Sequence, residues 1–321
     1  MSLIEYPVRI VSVDEERSGQ RIDNFLISQF RGVPRSCVYR ILRKGEVRVN
    51  KKRVHPDYKL QTGDLVRIPP VKVEDKPVIA PSANLTLVTD LCSRIVYETP
   101  EMLIINKPAG IAVHGGSGID YGVIEALRSG RPELRFLELV HRLDRDTSGC
   151  LMIAKKRSAL RNLHEQLRLK TVQKNYWALV RGKWSAKVKA IDQPLLKNIL
   201  KSGERMVSVS REGKPSRTLY SILREYDCCT LVEASPQTGR THQIRVHSTF
   251  ASHPIALDEK YGDREFDAVM RSRGLNRMFL HARRITFVDP SSGKVVSVEA
   301  ELDDNLASVL DALEKFSSTS R

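Results

Sequence analysis

Apolar positions along the chain fall into two unequal blocks. In the first, Ile22, Phe25, Leu26 and Phe30 recur at helical spacing after Gly19-Gln20-Arg21, and a break follows at Arg31-Gly32-Val33-Pro34. Pro34 opens a second helix, because its fixed φ and missing N–H suit a first turn. That helix buries Val38, Ile41 and Leu42, leaves Arg35, Arg40, Arg43 and Lys44 on other faces, and stops at Gly45. The alternation Glu46-Val47-Arg48-Val49-Asn50 predicts a strand, Lys51-Lys52-Arg53 its turn, and Leu65-Val66-Arg67-Ile68 a further strand ending at Pro69-Pro70. From 71 to 90 periodicity fades between Pro77 and Pro81, and the stretch reads as a linker.

In the second block short β-rich runs outnumber helices. Strands are expected at 94–97, 102–105, 150–154, 176–180, 230–234 and 285–288. Leu160, Leu163 and Leu167 mark an amphipathic helix, and Leu306, Val309, Leu310 and Leu313 a closing one capped by Asp303 or Asp304. Many connections are shorter than the dozen or so residues of a parallel crossover. The expected fold is therefore α+β. A small helix-strand domain (1–70, core 18–70) and a linker (71–90) precede a larger domain (91–321), a mixed, mainly antiparallel sheet with peripheral helices.

Composition narrows the class. Hydrophobic residues at 41% and charged residues at 28% of 321 suit a globular protein and exclude a disordered one. No run approaches the roughly 20 apolar residues that cross a bilayer, and the start MSLIEYPVRI lacks a basic flank with an apolar core. Five cysteines without a CxxC pair fit a reducing cytoplasm and no structural zinc. Charge then singles out a partner. Of the net +15, residues 17–70 carry 13 Lys/Arg against 4 Asp/Glu, or +9, leaving +6 for the rest. Arg35, Arg40, Arg43, Lys44, Lys51, Lys52 and Arg53 give this small module one cationic face. Such a face suits structured RNA, which is recognised mostly through shape and phosphate contacts.

Absences narrow the chemistry. The chain has no GxxxxGK[ST], GxGxxG, HExxH or GxSxG motif, and His242 and His247 lack a third ligand at metal spacing. Neither a metal nor a cofactor is expected. The densest polar string is His141-Arg142-Leu143-Asp144-Arg145-Asp146-Thr147-Ser148-Gly149, directly after an apolar run. Asp146 and Ser148 read as members of a surface turn. Asp144, flanked by Arg142 and Arg145, reads as a carboxylate held ionised and so able to act as nucleophile or base. A second string, Ser235 to His247, contains Arg245 interleaved with Ile244 and Val246, pointing away from the apolar face. A cation so placed takes an acidic partner or a phosphate; a surface arginine beside an RNA track accounts for the spacing equally well.

The segments GQRIDNFL, VPRSCVYRILRKGEVRVNKKRV and TGDLVRI resemble an S4-like RNA-binding domain. HRLDRDTSG, KNYWALVRG, TGRTHQIRVH, INKPAGIAVHGG and FLHARR resemble the pseudouridine synthases, in the branch with such an appended domain. This resemblance implies isomerisation of uridine in RNA without cofactor or metal, with Asp144 as the catalytic aspartate, Tyr176 stacked on the uracil and Arg245 paired with Asp144. It also places Arg142, Arg145, His141, Arg240 and Lys107 toward the substrate, Lys107 and the nearby His281 in a positioning or structural part. The implied partner is large-subunit ribosomal RNA, bound by a cytoplasmic monomer without a membrane. A target uridine stacked in a helix must be flipped out, at a few kcal/mol. Two other readings are a non-enzymatic RNA-binding or ribosome-assembly factor, and a glycosidic hydrolase using Asp146 as its second acid.

Overall fold

A computed structural model describes residues 3–30, 33–74, 85–115, 121–199 and 205–319, and the chain divides into two compact units, 1–79 and 80–321.

The first unit runs β1 (Leu3–Tyr6), β2 (Arg9–Ser12), α1 (Ile22–Gln29), α2 (Arg35–Arg43), β3 (Arg48–Val49), β4 (Leu65–Ile68) and β5 (Val71–Glu74). Ile22, Phe25 and Leu26 of α1 meet Val38, Ile41 and Leu42 of α2 over Val49, Val66 and Ile68 of the sheet. The expected helical spacing is thus the spacing of this core. Strands β2, β4 and β3 form one antiparallel sheet, and β1 pairs with β5 in another. After β3 the chain reverses through Asn50 and Lys51, at φ of 48° and 66°, between paired Val49 and Lys52 backbones. Both central residues are left-handed, as a two-residue hairpin turn with the strand twist requires. Asn50 suits that conformation and bonds Asp64 and the Leu65 N–H through its side chain. Pro34 stands at the N-cap of α2 rather than in its first turn, its carbonyl accepting from Cys37 N–H at 2.9 Å.

The stretch 71–90 is not a featureless linker. Val71–Glu74 is β5, and Thr86–Ser93 is helix α3, which buries Val88 and Leu91. The β5 partner lies at the start of the chain, so nothing local announces the pairing. Pro77 and Pro81 lie outside the described residues.

The second unit continues β6 (Ile95–Glu98), β7 (Met102–Lys107), α4 (Val123–Gly130), β8 (Glu138–Leu139), β9 (Ser148–Ala154), α5 (Arg157–Arg168), β10 (Gln173–Arg181), β11 (Ala190–Asp192), β12 (Leu195–Ile199) and β13 (Arg205–Val209). It ends with β14 (Arg217–Glu225), β15 (Cys229–Pro236), α6 (Gln243–Phe250), α7 (Arg264–Ser272), β16 (Leu280–Val288), β17 (Val295–Glu299) and α8 (Asp304–Thr319). One large sheet has the order β11-β14-β15-β10-β16-β9-β7-β6, with β17 on β16 and β8 on β9. It is mixed and mainly antiparallel, as expected. Only β9 and β16 run parallel among these pairs, over His281↔Ser148 and Ala282↔Gly149. Gly149 makes that approach possible: its φ is 106°, and a Cβ there would lie 2.3 Å from the Ala282 carbonyl oxygen.

Period-two alternation sorts the strand residues onto two buried faces. Leu103, Ile105, Leu151, Ile153, Ala178 and Val180 pack with α3 and α4 on one. Met102, Ile104 and Met152 pack with α5, and Leu179 with α7 and α8, on the other. With both faces covered, these strands read as continuous apolar runs. Asp303 is the cap of α8, accepting from Leu306 N–H at 3.0 Å. Among the described residues no helix is long and apolar enough to cross a membrane.

Candidate active site

Asp144 lies in the loop between β8 and β9, and several ties hold that loop in place. The Lys107 ammonium, at the end of β7, donates to the carbonyls of Pro108 at 2.8 Å, Ile111 at 2.9 Å and Arg145 at 3.0 Å. Gly110 N–H reaches the same Arg145 carbonyl at 2.9 Å. Lys107 is fully buried, and that burial pushes its pKa down to about 7. Three carbonyls match the three protons of the charged form, so the lysine fastens two loops together. That is a positioning or structural part, with all three protons spent on backbone carbonyls rather than turned to a substrate. His141 is likewise spent on backbone, its Nε2 accepting from Met152 N–H at 3.1 Å; burial pushes it down to about 3, keeping the ring neutral.

Ser148 is buried rather than part of a surface turn. Its hydroxyl sits 2.8 Å from His281 Nδ1 and accepts from Arg277 at 2.9 Å, while His281 Nε2 lies 2.9 Å from the Ala300 carbonyl. A carbonyl only accepts, so Nε2 carries the ring proton and Ser148 donates to Nδ1. This chain anchors the start of β9 just beyond Asp144.

The cations around Asp144 are not its flanking arginines but include Arg245, the partner that the resemblance implied. Arg145 pairs with Asp146 at 3.1 Å near the surface, and Arg142 is exposed. Instead Arg245 Nη1 lies 3.6 Å and His242 Nε2 3.9 Å from Asp144 Oδ2, on a carboxylate side chain 21% exposed. Among the described residues Oδ1 has no hydrogen-bond partner. Arg245 belongs to α6, not to an alternating run, and a helix buried from Gln243 to Ser248 turns it inward. Its main partner is Asp258, a residue the sequence reading passed over. Arg245 donates to Asp258 through Nε at 2.7 Å and Nη2 at 2.6 Å. Burial acts to lower the Arg245 pKa, but the hydrogen bonds and charge of Asp258, helped by Asp144, leave it raised.

Asp258 is itself fixed by a tight turn, Oδ1 accepting from Lys260 N–H at 3.0 Å and Tyr261 N–H at 3.1 Å. Gly262 closes this turn on the Asp258 carbonyl, where a Cβ would come within 2.3 Å. Tyr261 turns back under Arg245, the guanidinium carbon 5.1 Å from its ring centre. Tyr176, in β10 opposite Ala234, is buried beside this group. Burial first, and then the nearby Asp144 charge, push its phenol well above the ordinary range.

Outside this centre the surface is cationic. A cavity of about 510 Å³ is lined by Arg168, Lys170, Lys174, Asn175, Gln237 and Arg240 among others. Arg240 is exposed there, its Nε donating to the Pro215 carbonyl at 3.2 Å. In the first unit Arg35, Arg40, Arg43, Lys44, Lys51, Lys52 and Arg53 are all exposed. Among the described residues no three His, Cys, Asp or Glu side chains converge as metal ligands would.

Comparison with known proteins identifies the family. A family model described as RNA pseudouridylate synthase matches residues 101–249, and one described as S4 domain matches 20–66. The chain is 60% identical over 311 residues to ribosomal large subunit pseudouridine synthase C of Haemophilus influenzae, covering 97% of each chain. It is 59% identical over 308 residues to the protein of that name from Escherichia coli K12, covering 95% of this chain and 97% of that one. Among solved structures, human RNA Pseudouridylate Synthase Domain Containing 4 superposes with a TM-score of 0.57 at 25% identity, over 71% of this chain and 95% of its own. The chain belongs to the RNA pseudouridylate synthase family, isomerases that convert uridine in RNA to pseudouridine, and carries an S4 domain ahead of the synthase domain. Asp144, Tyr176, His242 and Arg245 fall inside the family match; Asp258 and Tyr261 lie just beyond it.

Proposed function

We propose that this protein isomerises uridines of large-subunit ribosomal RNA, in the cytoplasm and as a monomer, with Asp144 as the catalytic carboxylate. One observation carries the reading. Asp144 Oδ2 is held toward a buried arginine that Asp258 anchors, while Oδ1 is left without a partner among the described residues and the side chain stays partly open to solvent. A carboxylate so oriented can meet a nucleotide that enters from outside.

The reaction breaks the bond from the ribose anomeric carbon to the base nitrogen, turns the base and rejoins it through its fifth carbon. The proton lost there is balanced by one gained at the freed nitrogen, so nothing is consumed. Asp144 either adds to the substrate or removes a sugar proton, and the free Oδ1 is placed for both. Tyr176 supplies a flat face for the uracil. With its phenol pushed upward it stays protonated near neutral pH, which favours stacking over service as a phenolate base.

Reaching the site requires the uridine to leave its helix, at a few kcal/mol that a loop or bulge reduces. Arg142, exposed on the Asp144 loop, can take a phosphate or the vacated place in the stack, since its planar fork matches phosphate oxygens. The cavity with Lys170, Lys174 and Arg240 suits the flanking strand, and the exposed cations of the first unit suit a neighbouring helix. Mapping pseudouridines in ribosomal RNA from cells lacking this gene tests the reading. Specific large-subunit sites should be unmodified and return when purified protein is added; an unchanged map would reject it.

A further inference from the structure

We propose that His242 is a positioning residue for Asp144, held by Tyr261 as the tautomer that carries its proton on Nε2 and turns it toward the carboxylate. This rests on Asp144 being the catalytic group. The argument begins with the hydroxyl of Tyr261, which accepts the Val207 N–H of β13 at 3.0 Å. His242 Nδ1 lies 2.8 Å from the same hydroxyl. If the hydroxyl donates to Nδ1, both groups are satisfied; if Nδ1 donates instead, the hydroxyl proton has no acceptor among the described residues. Satisfaction of both therefore assigns the proton to Nε2.

That nitrogen lies 3.9 Å from Asp144 Oδ2, beyond a direct hydrogen bond but within reach of a small ring rotation. The same oxygen faces Arg245, so both donors gather on Oδ2 and leave Oδ1 to the substrate. Burial lowers the His242 pKa against the opposing pull of Asp144; Arg245 and Lys260 lower it further, and Asp258 raises it. A neutral N–H orients the carboxylate without discharging it as a second full cation would. The backbone adds an independent sign. His242 stands at φ 54° and ψ 22°, just ahead of α6, a left-handed conformation uncommon outside glycine, though histidine adopts it more readily than most, and of the kind that collects at functional sites. His242–Tyr261 ring packing, edge to face at 5.6 Å, holds the pair together.

Two readouts test the assignment. In the ¹⁵N-histidine-labelled full-length protein, a two-bond proton–nitrogen correlation should find His242 protonated on Nε2 only, with its signals assigned by their loss in His242→Gln. Tyr261→Phe should allow both tautomers. In steady-state turnover on large-subunit RNA from cells lacking the gene, His242→Ala should lower kcat roughly ten- to a hundredfold, the range of a hydrogen bond to a charged group, with KM little changed. His242→Gln, whose amide reaches the Nε2 position, should recover most of that loss. His242→Asn should not, although asparagine tolerates the left-handed backbone best. Equal or better rescue by asparagine would mean a merely structural role and overturn the proposal, as would a proton on Nδ1 or an effect confined to KM. The tautomer is read without turnover, and Asp144→Asn is assayed in parallel. Conversion by Asp144→Asn would sink the catalytic assignment of Asp144 and leave the tautomer result standing.

Discussion

Removing one member of the Arg245–Asp258 pair should cost about as much as removing both charges together. Arg245 is 6% exposed and Asp258 2%, and two hydrogen bonds of 2.6 and 2.7 Å join them. Breaking a buried pair strands a charge and costs about 3–5 kcal/mol. Arg245→Met leaves the Asp258 carboxylate with the Lys260 and Tyr261 N–H groups, which places it near the low end, about 3 kcal/mol. Asp258→Asn keeps an oxygen for those groups but leaves Arg245 facing Asp144 at 3.6 Å, for a similar loss of about 3 kcal/mol. The double variant strands neither charge, so its loss should fall about 2–3 kcal/mol short of the sum. Urea unfolding followed by fluorescence measures this, because both tryptophans, Trp177 and Trp184, lie in the second unit. Turnover should fall in Asp258→Asn as well, since the freed arginine closes on Asp144 and occupies it. Additive losses, or single losses below about 1 kcal/mol, would refute this description of the pair.

Two further outcomes follow from other parts of the structure. Replacing Lys51, Lys52 and Arg53 with alanine should weaken RNA binding and reduce the slope of log affinity against log salt by up to about 2–3, while leaving second-unit unfolding unchanged; an unaltered slope would remove this turn from the RNA face. Acid should destabilise the second unit through His281, which burial pushes down to about 4. An unfolded histidine takes up its proton near 6.5 while the folded ring resists, so the unfolded state binds more protons between about 6.5 and 4 and stability falls as pH drops. Urea midpoints at pH 7 and 5 should therefore converge in His281→Gln relative to wild type; an equal separation in both would count against it.

Much of this was readable in the chain because its signals are local. Helical spacing from Ile22 to Phe30 and from Val38 to Leu42, the basic run at 51–53 and the dense string around Asp144 need no distant partner to be noticed. Asp258 carries no such mark: one of two adjacent acids in Leu257-Asp258-Glu259, it becomes the anchor of Arg245 only when the turn before Gly262 folds beneath α6. Proximity in sequence misled in the same region. Arg142 and Arg145 flank Asp144 along the chain, yet a loop fastened by Lys107 and Ser148 turns Arg145 to Asp146 and brings in Arg245 from about 100 residues away. Alternation misled at Ile244-Arg245-Val246, where a helix buried on most sides mimics an interleaved strand. β5 escaped notice because its pairing with Leu3–Tyr6 spans the whole first unit.

The most direct test of the account is Asp144→Asn, which keeps the side-chain shape and removes the charge. Pseudouridine formation and RNA affinity should be measured on the same large-subunit RNA. Conversion should vanish while affinity stays within a few-fold of wild type, since the cationic surfaces lie elsewhere. Pseudouridine still formed by Asp144→Asn at a comparable rate would contradict it.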